Sequence, residues 1–178
     1  MNRDLMFIAA DIHGAAEAAS ILLQAVAAEP EAGLLLLGDQ LSALGPERPG
    51  LPPVERQLQP FRGRTLALRG NCDSRGDESR LGLSLQDSLL LPFGDKQALC
   101  CHGHTYGEAA PPPLSGWDIL ITGHSHVPCC RPHRGWLYLN PGSLGRPRQN
   151  SPAGYIRYEK GLLQWIDLQG RAWMEYKI

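Results

Sequence analysis

Residues 5–39, LMFIAADIHGAAEAASILLQAVAAEPEAGLLLLGD, decide the fold. Residues 5–10 (LMFIAA) form a short apolar run that stops at Asp-Ile-His-Gly, which reads as a buried strand ending in a loop. Residues 15–28 are rich in Ala, Leu and Glu and stop before Pro30, the pattern of a helix with a proline stop. Residues 34–37 read as a second buried strand, ended by Gly38-Asp39. Strand, loop, helix and strand make a βαβ unit, which predicts a parallel pair in a layered α/β fold.

Outward from that unit, residues 42–53 (SALGPERPGLPP) hold four prolines and two glycines and read as a long loop, a rim or lid over a site. Residues 54–60 make a short helix at best. Residues 65–68 read as a third strand, ended by Arg-Gly-Asn-Cys-Asp. Residues 88–92 and 97–101 read as strands joined through a turn containing Gly94, and residues 111–113 are a rigid proline connection. Residues 118–122 form another buried strand, ended by Gly-His-Ser-His. Residues 127–131, 136–139, 154–158, 162–167 and 172–176 are short strand-like runs, a β-rich second half with little helix. No internal repeat or boundary interrupts the chain, so residues 1–178 read as one domain of two sheets and flanking helices.

Composition narrows the function. A chain of 178 residues with 43% hydrophobic content is long enough to bury a core without a disulfide framework. A net charge of -1 with 20% charged residues speaks against a strongly basic nucleic-acid binder and against an acidic disordered tail. No apolar run reaches the ~18 residues of a membrane helix, and residues 5–10 are too short for a signal-peptide core. Cys72, Cys100, Cys101, Cys129 and Cys130 are odd in number and include two adjacent pairs, which points to thiols in a reducing cytoplasm.

The chemistry lies where the strands stop. The first is followed by Asp11 and His13, the second by Asp39, and the third by Asn71 in Gly-Asn-Cys-Asp. The strand near residue 100 is followed by His102 and His104, the one near 120 by His124 and His126, and the one near 138 by Asn-Pro-Gly-Ser over 140–143. Each motif alone reads as ordinary turn chemistry. Together, in this order and all at strand ends, they predict one metal site, because α/β sheets bring such ends together.

The same ordered motifs resemble those of the calcineurin-like metallophosphoesterases. Gly-Asn-Cys-Asp and the closing Asn-Pro-Gly-Ser are similar to the small YfcE-like bacterial phosphodiesterase branch, with matching spacing from Met6 to about Tyr158. The resemblance implies a four-layer αββα sandwich of two mixed sheets flanked by helices. It also implies that one metal is held by Asp11, His13 and His126 and a second by Asn71, His102 and His124, with Asp39 bridging both. Mixed carboxylate, amide and imidazole ligands suit Mn²⁺ foremost, with Zn²⁺, Fe²⁺, Ni²⁺ or Co²⁺ as the other choices, over Ca²⁺. Two such ions about 3.5 Å apart can activate a bridging hydroxide for in-line attack on a small phosphodiester and neutralise its oxygens.

The leaving group needs a further residue. Many relatives carry a His where this chain has Cys72, a weak hydrogen-bond donor. Cys72, Asp73, His104 or water are the candidate acids. Arg75, Arg146 and Arg148 follow site motifs and are candidate phosphate grips, each weighed against a solvated loop arginine. The competing classes are a non-catalytic metal-binding scaffold of the same fold, and a nucleotide phosphatase or nuclease. The full ligand set speaks against the first, and the missing basic patch speaks against a stable nucleic-acid complex. Expected partners are a small phosphodiester or nucleotide substrate and no membrane. A homodimer is compatible with the β-rich half.

Overall fold

The computed structural model describes residues 2–41 and 51–178. Residues 42–50 of the expected loop over 42–53 lie outside the described residues. The decisive βαβ unit forms as β1 (Asn2–Ala9), α1 (Ala16–Ala28) and β2 (Ala32–Leu36), with β1 and β2 parallel and Phe7 opposite Leu34. Next come α2 (Val54–Leu58), a 3₁₀ turn (Gln59–Arg64), β3 (Thr65–Leu68), α3 (Arg75–Leu81) and β4 (Leu85–Gln86). The remaining strands are β5 (Ser88–Phe93), β6 (Lys96–Cys101), β7 (Ile119–Ile121), β8 (Cys129–His133), β9 (Trp136–Asn140), β10 (Gly154–Glu159), β11 (Leu162–Asp167) and β12 (Ala172–Lys177).

Two mixed sheets result. One has seven strands in the order β12-β11-β10-β1-β2-β3-β4, the other five in the order β5-β6-β7-β9-β8. Side-chain alternation, the period-two rule of strands, decides what each face buries. Phe7, Ala9, Leu34 and Leu36 point to one side and pack with Leu22 and Val26 of α1. Met6, Ile8, Leu35 and Leu37 point to the other and pack with Phe93, Cys100 and Ile121 of the second sheet and with Trp165. Each fully buried Leu, Ile, Val, Phe or Met among them contributes on the order of 1.5–3 kcal/mol. The paired cysteines follow the same alternation: Cys100 faces the inter-sheet core and Cys101 the outer face, and none of the five forms a disulfide.

The two facing sheets and the helices against the larger one agree with the expected architecture. The outer face of the smaller sheet buries Leu99, Cys101, Leu120 and Tyr138 against Trp117 and Trp136. The irregular chain of 102–118 runs past it, and the described helices all end before residue 82. Sequence reading passed over α3 and β4. Helix α3 opens on a capping box in which Ser74 Oγ accepts from the Asp77 N–H at 3.2 Å and Asp77 accepts from the Ser74 N–H at 2.9 Å. It ends at Gly82 in the left-handed region, φ 61°. Ser-x-x-Asp and that glycine were legible signals; β4, two residues long, has no readable period.

Candidate metal centre

Asp11 and His13 follow β1, Asp39 follows β2, Asn71 follows β3, His102 follows β6, and His124 and His126 follow β7. β1, β2 and β3 run parallel in one sheet and β6, β7 and β9 in the other, so their C-terminal ends open onto a common cleft. The chain leaves each strand abruptly. Eight described non-glycine residues have positive φ, and five of them are Asp11 (52°), His13 (49°), Asp39 (56°), His124 (65°) and His126 (61°). Such backbone is costly for an L residue and persists only where its surroundings hold it.

Here the loops hold one another. The Asp11 N–H donates to Gly38 O at 3.1 Å, and the His13 N–H to Asp39 O at 2.9 Å. The Gly145 N–H donates to Asp11 O at 3.1 Å, and the Gly123 N–H to His102 O at 2.9 Å. At Gly70 a Cβ would overlap the Asp39 carboxylate, so only glycine lets the β3 loop approach this closely.

The expected ligands meet in two groups. Ligand atoms of Asp11, His13 and His126 lie within 4.8 Å of one another. His13 Nε2 is 3.4 Å from His126 Nε2, which is 3.5 Å from Asp11 Oδ1. In the second group Asn71 Oδ1 stands 3.0 Å from His102 Nε2 and 2.9 Å from His124 Nδ1. Asp39 lies between them, its Oδ2 3.7 Å from His13 Nε2 and 3.6 Å from His102 Nε2. Its Oδ1 is fixed by the Cys72 N–H at 2.9 Å.

The protonation pattern leaves these atoms with their lone pairs facing inward. His102 Nδ1–H donates to Leu37 O at 2.7 Å, and His126 Nδ1–H to Arg146 O at 2.6 Å. Burial pulls the His102 imidazole down to about 4 and also lowers His124 and His126. A neutral ring that donates through Nδ1 carries a bare lone pair at Nε2. His102 therefore turns a lone pair on the Asn71 carbonyl oxygen, and His126 turns one on Asp11 Oδ1. Asp11 is fully buried; its Oδ2 accepts from the His124 N–H at 2.9 Å, but Oδ1 has no hydrogen-bond partner among the described residues. Burial and the nearby Asp39 charge push its carboxyl up to about 8. Converging lone pairs, two close carboxylates and an orphaned oxygen are what a cation would satisfy, so the donor set fits the metal that the motifs imply.

The other expected residues fall differently. Cys72 lines the cleft and its Sγ accepts from Asn71 Nδ2 at 3.3 Å. Asp73 does not face the cleft as an acid would. Its Oδ2 accepts from the N–H groups of Asp39 (2.7 Å) and Gly70 (2.9 Å), and its Oδ1 from that of Gln40 (3.0 Å). Both oxygens are thus taken up in tying the β2 and β3 loops together. His104 is exposed, its ring 5.4 Å from that of His102 and 6.3 Å from that of His124. Arg146 and Arg148 line the cleft, about 430 Å³ in volume, whereas Arg75 starts α3 and is absent from its wall.

Two buried polar residues of the closing motif proved to be scaffolding. Ser143 Oγ donates to Asp11 O at 2.7 Å, and Asn140 Nδ2 donates to Gly123 O at 2.7 Å. The motif was visible in the sequence, but what its side chains touch was not.

Comparison with known proteins agrees with this fold. A family model of the calcineurin-like phosphoesterase superfamily domain matches residues 5–160. The phosphodiesterase YfcE of Escherichia coli K12 is 33% identical over 175 residues, covering 94% of each chain. The probable metallophosphoesterase YsnB of Bacillus subtilis is 31% identical over 160 residues, 84% of this chain and 80% of that one. The solved structure of the Escherichia coli phosphoesterase YfcE superposes with a TM-score of 0.86 at 28% identity, over 98% of this chain and 99% of that one. Fold, converging donors and family match lead to one assignment: the chain belongs to the calcineurin-like phosphoesterase superfamily and is a metal-dependent phosphoesterase.

Proposed function

We propose that this protein is a phosphodiesterase with two divalent cations, most simply Mn²⁺, acting on a small phosphodiester. Asp11, His13 and His126 would hold one cation and Asn71, His102 and His124 the other, with Asp39 between them. One observation carries this reading: the Nδ1–H groups of His102 and His126 are engaged by backbone carbonyls, which leaves both Nε2 lone pairs aimed at side-chain oxygens of Asn71 and Asp11. Bound there, two divalent cations would supply Lewis acidity toward the phosphoryl oxygens and toward water.

The chain's own residues do the rest. Arg146 and Arg148, on the cleft wall, attract and orient the phosphoryl oxygens. His104, exposed beside the second group, is placed to hold a proton for the departing oxygen, whereas Asp73 is a positioning residue. Cys72 lines the wall and donates weakly. The relatives YfcE and YsnB, a phosphodiesterase and a probable metallophosphoesterase, support the reaction class. Thiols without disulfides suit a reducing cytoplasm.

The test is hydrolysis of bis-p-nitrophenyl phosphate against p-nitrophenyl phosphate, on metal-stripped protein with Mn²⁺ added back, beside Asp39→Asn. Metal-dependent cleavage that favours the diester and is lost in the variant is the expected result. No turnover with any added cation, from a folded protein, would return the scaffold reading.

A further inference from the structure

A second cavity, about 270 Å³ in volume, adjoins the metal cleft. His102 and His104 belong to its wall, and the His102 ring is 5.2 Å from that of His124 in the cleft. The remainder of the wall is largely apolar: Leu99, Tyr106, Pro112 and Leu114. It forms where the irregular chain after β6 passes the outer face of the smaller sheet, with the Cys101 thiol donating to Tyr106 O at 3.7 Å. Among the described residues no lysine or arginine lines it, and Asp87 is its one acid.

We propose that this cavity receives one organic arm of the substrate, an uncharged, flat, ring-sized group, while the phosphoryl group sits at the metal cleft. The inference rests on the phosphodiester reading and adds the class of ester to it. Three observations support it. The two cavities are neighbours through His102, which lines this one while its Nε2 stands 3.0 Å from Asn71 Oδ1 and its ring 5.2 Å from that of His124, both on the wall of the cleft. The volume suits a single ring. Apolar walls reward burial of a ring, while Asp87 on the wall disfavours an arm that carries a further phosphate or carboxylate.

Two variants change the cavity without touching the proposed ligands. Ser88 opens β5, an edge strand, and pairs with Cys101 across it, so Ser88→Trp projects an indole into the cavity. Leu114 is 62% exposed, and Leu114→Ser removes apolar lip while keeping the backbone carbonyl that accepts from Trp117 Nε1.

Calorimetric binding of phenylphosphonate, 4-carboxyphenylphosphonate and methylphosphonate to the Mn²⁺-loaded protein reads the cavity without turnover. Phenylphosphonate is expected to bind about tenfold more tightly than methylphosphonate, and the carboxyphenyl compound to lose that advantage. Ser88→Trp and Leu114→Ser should each reduce the phenyl preference and leave methylphosphonate binding unchanged. Equal affinities in the parent, no binding of any phosphonate, or a phenyl preference untouched by both variants would overturn the proposal. A phenyl preference that persists in a protein hydrolysing no diester would instead sink the phosphodiesterase reading and leave the cavity standing.

Discussion

Removing the metal should make Asp11 a liability, and Asp11→Asn should then stabilise the protein it disables. In the unfolded chain this carboxyl titrates near 3.8, and in the folded metal-free chain burial and Asp39 push it up to about 8. The folded state therefore keeps a proton that the unfolded state has released. The stability Asp11 permits is fully present below pH 4 and is lost as pH rises towards 8. Each pH unit in that window costs about 1.4 kcal/mol, which amounts to about 3–4 kcal/mol between pH 5 and pH 8. His102, His124 and His126 run the other way, since burial lowers them and folded stability falls below pH 6.5. Comparing parent with variant cancels their share. Asparagine cannot ionise, can still accept the His124 N–H, and places an amide N–H where Asp11 Oδ1 stands 3.5 Å from the His126 Nε2 lone pair. Urea unfolding in chelator should show the Asp11→Asn advantage widening from pH 5 to pH 8 by about 3 kcal/mol. Added Mn²⁺ should reverse the order, because it stabilises only the protein that binds it. A gap that does not change with pH, or a variant less stable than the parent in chelator at pH 8, would refute the reasoning.

Three other outcomes follow from the loops around the centre. Asp73→Asn keeps an oxygen for the Asp39 and Gly70 N–H groups but turns an amide N–H on that of Gln40, so urea unfolding should show a loss of about 1–3 kcal/mol. Mn²⁺ affinity should fall with it, by about 10–100-fold; unchanged stability and affinity with lost turnover would make Asp73 an acid after all. Gly70→Ala drives a methyl group into the Asp39 carboxylate, and should cost about 1–3 kcal/mol and weaken Mn²⁺ binding by calorimetry. Cys72→Ser keeps an acceptor for Asn71 Nδ2, so most of the diester hydrolysis should remain. A loss as deep as that of Asp39→Asn would show that the thiol takes part in the reaction.

Much of this was readable in one dimension because the physics is local. The run LMFIAA reads as a buried strand that Asp-Ile-His-Gly ends, and residues 5–39 carried the βαβ unit into the structure with ends shifted by one to three residues. The order of strand-end donors likewise located the cleft, since parallel strands bring their C-terminal ends together. What stayed hidden was direction. Asp73 follows Asn71 by two residues and reads as a site carboxylate, yet its oxygens turn to three backbone N–H groups that no spacing reveals. The fit between Gly70 and Asp39, and the cavity behind His104, likewise depend on how distant loops stack.

The strain at the centre and the lone pairs it aims inward have a common origin. Asp11, His13, Asp39, His124 and His126 adopt positive φ, and each lies within five residues of the end of β1, β2 or β7. An extended exit would carry these side chains along the strand axis and past one another. A left-handed step turns the chain across the sheet's end instead, so that residues from both sheets face one point. The backbone N–H and C=O groups released by that turn are then satisfied across loops, as in Asp11 with Gly38 and His13 with Asp39. The cost of the left-handed steps, roughly 1–3 kcal/mol each, is thus met by hydrogen bonds that exist only when the loops are together. The metal-free centre is held by these loops while burial and the nearby Asp39 disfavour the Asp11 carboxylate, and a bound cation would offset that second contribution.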